Sequence, residues 1–189
     1  MRTFKMIISP TKNKKDAAFC QYFKTNTADS KCMYNTANFY IRNTMTGLKK
    51  SPEERTPLET EVLHYVFTGI QKANEVIGQK NMKKKFAELK LAEVGGMQSA
   101  VAAFSIVSHE PFQYPTAKKW FLSYGTLDAI FKFTDNPIYR RMNSQVNQNA
   151  IRKAVAAWQG YFESLKAYKK NPAGFTGKPK IPGYKQDEG

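Results

Sequence analysis

The hydrophobic positions change period along the chain, and that change is the first guide to its fold. From Arg2 to Ile8 they alternate, with Thr3, Lys5 and Ile7 on one side and Phe4, Met6 and Ile8 on the other, until Ser9-Pro10-Thr11 closes the segment. Period two predicts one short strand. A lone strand leaves its backbone edges unpaired, so it has to pair with a later part of the chain or with something outside it. From Lys12 to about Thr46 the pattern is helical, and Met33, Ala37, Tyr40 and Ile41 form a stripe of helical spacing. The polar run Asn26 to Asp29 predicts a break into two helices, with Asp29 as the N-cap of the second. Gly47 to Arg55 reads as a polar loop.

Thr56-Pro57-Leu58-Glu59 is a capping box with Pro at the first helical position, the best helix start in the chain. The stripe that follows is Leu58, Val62, Tyr65, Val66, Gly69, Ile70, Ala73, Val76 and Ile77, and Gly78 is placed to end it. Lys80 to Glu93 predicts a shorter basic helix, Gly95-Gly96 a break, and Met97 to Ser108 an apolar helix. Pro111 and Pro115 interrupt the next stretch, and Thr116 is placed to cap a turn or short helix through Trp120 and Phe121. Ser123 to Thr126 reads as a loop entering a helix over about Leu127 to Thr134, which Asp135-Asn136-Pro137 ends. The last helix starts near Asn143-Ser144 and runs to about Tyr168 on a stripe of Ile151, Ala154, Trp158, Tyr161, Phe162 and Leu165. Lys166, Lys169 and Lys170 oppose the dipole at its C-terminal end. Asn171 to Gly189, with three prolines and four glycines, predicts an extended basic segment.

Composition sharpens this picture. With 41% hydrophobic and 13% aromatic residues the chain has enough apolar material to fold. Thirty Lys and Arg against fifteen Asp and Glu give a net charge of +15, which points to a polyanionic partner. No stretch approaches the ~18 to 20 apolar residues of a spanning helix, and the first residues lack the apolar core of a signal peptide, so a cytoplasmic location is expected and no membrane partner. Cys20 and Cys32 have no Cys or His nearby at metal-ligand spacing and are expected to be reduced, Cys32 on a helix core.

Catalytic chemistry finds little support in the pattern. His64 and His109 stand alone, Gly95-Gly96 lacks the strand before it and the Lys-Ser/Thr after it of a phosphate-cradling loop, and the acids cluster at helix starts (Glu53, Glu54, Glu59, Glu61). No catalytic residue, metal ligand or cofactor is assigned. The positive signals concern binding. Lys166 to Lys185 holds six lysines and no acid, interleaved with Tyr168, Phe175 and Tyr184, a pattern of charge with stacking surface; a solvated charged tail accounts for it equally well. Ser144, Gln145, Asn147, Gln148 and Asn149 put five uncharged hydrogen-bonding side chains at a helix N-terminus, where phosphate is attracted and Gln or Asn can pair with an adenine edge. Capping and solubility are the competing explanation.

Three stretches resemble the TnpB family of transposon-encoded RNA-guided nucleases, relatives of miniature type V CRISPR effectors. They are Phe4-Lys5-Met6-Ile7-Ile8-Ser9-Pro10-Thr11 with the later Met33-Tyr34-Asn35; Asn143-Ser144-Gln145-Val146-Asn147-Gln148 running into Ala157-Trp158-Gln159-Gly160-Tyr161-Phe162; and Gly177-Lys178-Pro179-Lys180-Ile181-Pro182-Gly183-Tyr184-Lys185. Their order matches the N-terminal half of such a protein. The resemblance implies a mainly α fold, a helical recognition domain (12–170) inserted in an incomplete oligonucleotide-binding-type β-barrel or wedge domain, with 1–11 as its first strand and 171–189 as the basic return segment. Residues 47–118 have no counterpart.

The resemblance further implies a recognition module that binds guide RNA and the motif beside a double-stranded DNA target, base pairing supplying the remaining specificity. By position it implies motif reading by Tyr124, Gly125, Ser144, Gln148 and Asn149, where Ser144 departs from a lysine in a relative. Backbone or RNA contacts fall to Tyr34, Asn35, Asn38, Lys166, Lys169, Lys170, Lys178, Lys180, Tyr184 and Lys185, with Tyr34 equally able to pack between helices. The family's Gly-Ile-Asp-x-Gly strand, catalytic Glu and second Asp do not occur before Gly189. The expectation is therefore a chain that is not an enzyme by itself, in a bacterial, nucleoid-associated setting, with any Mg²⁺ belonging to a nuclease domain on a missing half or a partner chain. A fragment of an active nuclease and a stand-alone basic RNA-binding protein are the alternatives.

Overall fold

A computed structural model describes residues 9–11, 14–91 and 111–186. The strand expected over Arg2 to Ile8, the Gly95-Gly96 break, the Met97 to Ser108 helix and His109 lie outside the described residues. Those described form a mainly helical protein, with no strand among them. The α-helices are α1 (Lys14–Lys49), α2 (Pro57–Leu91), α3 (Tyr124–Phe133), α4 (Pro137–Arg141) and α5 (Ser144–Lys170). They divide between two compact units. The first comprises Met1–Asn38 and Pro137–Gly189, the second Phe39–Asn136.

The expected break at Asn26 to Asp29 does not occur; α1 is one continuous helix. Its polar side chains turn back onto the helix instead of interrupting it. Asn26 Nδ2 donates to the Tyr22 carbonyl at 2.8 Å, Thr36 Oγ1 to Cys32 at 2.8 Å and Asn43 Nδ2 to Phe39 at 2.8 Å. Asp29 is thus mid-helix, not an N-cap, and lies 3.9 Å from Arg141. Both cysteines are half-buried and free, so Cys32 is at the edge of a core.

In the first unit the core is Met33, Tyr34 and Ala37 of α1 with Ala150, Ile151, Ala154, Val155 and Trp158 of α5. The start of α5 is where the pattern placed it: Asn143 Oδ1 accepts from the Gln145 N–H at 2.9 Å. Its end lies at Lys170, and of the expected stripe Ile151, Ala154 and Trp158 are buried while Tyr161, Phe162 and Leu165 are half-buried.

In the second unit α1 continues past Thr46 to Lys49, shortening the expected loop to a single 3₁₀ turn at Pro52–Glu54. Gly47 leaves room for α2 there: a Cβ would lie 3.0 Å from Leu63 Cδ1 and 3.2 Å from Glu59 Cβ, so a side chain would make those neighbours give way. The capping box at α2 is formed. Thr56 N–H donates to Glu59 Oε2 at 2.9 Å and Glu59 N–H to Thr56 Oγ1 at 3.2 Å. Gly78 does not end α2, which runs on through the expected separate basic helix to Leu91. A glycine costs a helix interior about 1 kcal/mol relative to Ala, too little to stop a run with strong formers on both sides. Of the expected stripe, Val62, Val66, Gly69, Ile70 and Ala73 are buried, whereas Leu58, Tyr65 and Val76 are exposed and Ile77 half-buried.

The strongest close approach is at Gly69, where a Cβ would meet Ile130 Cγ2 at 3.0 Å and Ile130 Cα at 3.1 Å; α2 and α3 touch there nearly backbone to backbone. Thr116 closes a turn with Lys119, not a helix, and Trp120 and Phe121 are irregular. Helix α3 begins earlier than expected because Ser123 is its N-cap, its Oγ accepting from Thr126 N–H at 3.2 Å. Asp135 then takes the left-handed conformation (φ 51°), which a short polar side chain tolerates, and ends this helical stretch before Pro137 opens α4.

Candidate nucleic-acid interface

The first unit ties its extended C-terminal segment to α1 through a set of buried or half-buried amides. Asn38, fully buried, accepts from Trp158 Nε1–H at 2.8 Å and donates from Nδ2 to the carbonyls of Pro182 (3.2 Å) and Gly183 (3.0 Å). One turn earlier, Asn35 pairs with the backbone of Lys185 in both directions: Nδ2 donates to its carbonyl at 2.9 Å and Oδ1 accepts from its N–H at 2.8 Å. Tyr34 is buried at 8% exposure, and the Lys185 ammonium stands 4.9 Å from its ring centre. An asparagine amide offers a donor and an acceptor side by side, like a peptide group, so two of them on one helix face can hold an extended strand without a sheet.

The resemblance implied nucleic-acid backbone or RNA contacts for Asn35 and Asn38. Their amides are spent inside the protein, and Tyr34 packs in the core, as its alternative role required. What they hold is basic. Lys178, Lys180 and Lys185 are exposed on the segment, as is Tyr184. Lys166, Lys169 and Lys170 are exposed on the last turns of α5, where Lys166 makes a 3.3 Å surface pair with Glu163 of the kind that contributes little. Phe175 folds back edge-on against Tyr168, ring centres 5.7 Å apart.

The amide run at the start of α5 divides by role. Asn147 is 1% exposed and donates to the carbonyls of Tyr139 and Met142, closing the end of α4; it belongs to the core. Ser144, Gln145 and Asn149 are exposed and Gln148 is half-buried, so these four carry the hydrogen-bonding edge. Asn149 Oδ1 accepts from Arg152 at 3.4 Å. Tyr124 and Gly125 occupy the first turn of α3, half-buried, not the loop expected for them, and belong to the second unit. The structure therefore gathers Ser144, Gln148 and Asn149 on one helix and assigns Tyr124 and Gly125 to the other unit.

Two side chains in the second unit have strongly shifted acidities. The Tyr40 hydroxyl is pushed up to about 12, chiefly by burial and then by Tyr65 and Glu61, so it stays neutral; its ring packs edge-on to Phe131 at 5.1 Å. Glu59 is held down to about 2, first by Lys50, whose ammonium reaches both carboxylate oxygens at 2.9 and 2.8 Å, then by the Thr56 N–H and by Thr46. The Lys50 pair and the capping contacts together explain that shift without catalysis. Among the described residues no three His, Cys, Asp or Glu side chains gather to hold a metal ion, and no helix is long and apolar enough to cross a membrane.

Phe19, Tyr22 and Phe23 were not singled out in the sequence. All three are exposed on α1, and their i, i+3, i+4 spacing, in phase with Ala37, Tyr40 and Ile41 about five turns further along the helix, was the available signal. Compared with known proteins, the chain matches no family model, no curated protein and no solved structure.

Proposed function

We propose that this chain is a nucleic-acid recognition module of the TnpB-like kind, holding guide RNA and reading a motif in the adjacent duplex DNA, with cleavage left to a nuclease part. The observation that supports it most is the anchoring of the 182–185 segment by Asn35 and Asn38. A solvated tail gains nothing from a buried asparagine, itself fixed by the Trp158 N–H, aimed at its backbone. A lysine-bearing strand that must meet phosphates in one register does, because a pre-ordered strand loses less conformational entropy on binding. Lys185 on that segment, Lys178 and Lys180 just before it and the three lysines at the end of α5 supply the charge, and the net +15 supplies the long-range attraction.

On this reading the α5 N-terminus meets duplex DNA. Gln148 is the base-reading side chain, supported by Ser144 and Asn149, while the lysines contact phosphate. The test is to express the chain, sequence the RNA that travels with it, and select preferred motifs from a randomised duplex pool. Gln148→Ala should cost ~1 to 3 kcal/mol at one base position, whereas Lys178→Ala or Lys180→Ala should weaken all duplexes alike. Uniform loss across the pool for Gln148→Ala removes it from the readers; recovery without any RNA contradicts the guide-binding role.

A further inference from the structure

A groove of about 1170 Å³ lies in the first unit between the early part of α1, the start of α5 and the clamped segment. Lys24, Lys31, Lys153 and Lys185 line it, and none of its lining residues is acidic. It exceeds the roughly 300–1,000 Å³ of small-molecule pockets and has the form of a trough, which suits a polymer better than a metabolite. Lys24 and Lys31 lie on one wall seven residues apart, roughly 10 Å along the helix, so one occupant touching both must present more than one anionic group.

The groove is continuous with an aromatic patch through Phe23, one of its lining residues. Phe19, Tyr22 and Phe23 are 44%, 60% and 51% exposed, and their rings meet edge to face at 4.6 Å (Phe19 with Phe23) and 5.8 Å (Tyr22 with Phe23). A contiguous aromatic patch left in water marks a surface meant to be covered. Beside a row of lysines, what covers it must be both flat-faced and anionic. We infer that this groove is a binding site for single-stranded RNA, with a base stacked on Phe23 and phosphates over Lys24, Lys31 and Lys153. The RNA assignment rests on the recognition-module reading above. It adds that α5 works on two faces: Val146, Ala150 and Lys153 line the groove, while the helical turn of 100° per residue puts Ser144 and Gln148 on another side, toward the duplex.

The test is a fluorescence titration of the full chain with an oligouridylate, an oligothymidylate and a duplex of equal length over a series of salt concentrations. Phe23→Ala should weaken oligouridylate binding about 5- to 150-fold, the loss of one stacked base. Lys24→Glu with Lys153→Glu should reduce the log–log salt slope by about 1.4, two single-strand phosphates. Duplex binding should change little in either variant. If the unaltered chain binds the oligouridylate and both variants match it, the groove assignment falls while the module reading stands. Losses confined to the oligothymidylate, or equal on duplex, overturn the RNA assignment. An unaltered chain that ignores all three nucleic acids overturns the module reading and this inference with it.

Discussion

Replacing Asn38 by Leu removes a single amide and should act at two places at once. The Trp158 N–H is fully buried and loses this acceptor, which costs ~1 to 3 kcal/mol. The Pro182 and Gly183 carbonyls lose a donor but lie near water, so each contributes only ~0.5 kcal/mol. The expected loss is ~2 to 4 kcal/mol in urea unfolding followed by tryptophan fluorescence. The released segment should also open more often: the ~1 kcal/mol of local stability lost with the two carbonyl bonds raises tryptic cleavage after Lys180 about 5-fold. In a Trp158→Phe background the donor is already gone, so Asn38→Leu should then cost ~1 to 3 kcal/mol less while still freeing the segment. Unchanged cleavage after Lys180 in Asn38→Leu would refute the idea that this amide positions the basic segment.

Other consequences follow in the second unit. Gly69→Ala forces a methyl against the Ile130 backbone at 3.1 Å and should destabilise the protein by ~1 to 3 kcal/mol in urea unfolding, with Gly78→Ala, which meets nothing within 4 Å, as the neutral or stabilising control. Glu59 has a folded pKa of about 2 against an ordinary 4.5, so its contribution is complete above 4.5 and is lost as pH falls toward 2. The stability gap between the unaltered chain and Glu59→Gln should therefore narrow across that window; a gap constant with pH contradicts the Lys50 and capping contacts as its cause.

Much of the helical layout was legible because it is set by local chemistry. The Thr56–Glu59 box, the Asn143 cap and the Asp135-Asn136-Pro137 stop each act within one turn, and the structure follows them. The misreadings arose where a residue's usual local preference was overridden. Asn26 and its neighbours were read as a breaker, but the amide found its own helix carbonyl. Gly78 was read as a stop, yet it sits within a helix with nothing requiring a left-handed turn. At the candidate site the extended basic segment was legible from its prolines and lysines. Its anchoring was not, because Asn35 and Asn38 meet partners about 150 and 120 to 145 positions away, and no local pattern encodes such pairings. Asn147 was grouped with surface amides although its partners lie only five and eight positions back; only the turn between α4 and α5 brings it to the end of α4.

The most direct check on the central claim, that a tethered lysine-bearing strand engages phosphates, is the salt dependence of RNA binding by the whole chain. The account predicts an affinity that falls linearly on a log–log plot, by about 0.7 per phosphate neutralised, with a shallower line when Lys178 and Lys180 are replaced by Ala. A flat line, or one that those two replacements leave unaltered, would contradict it.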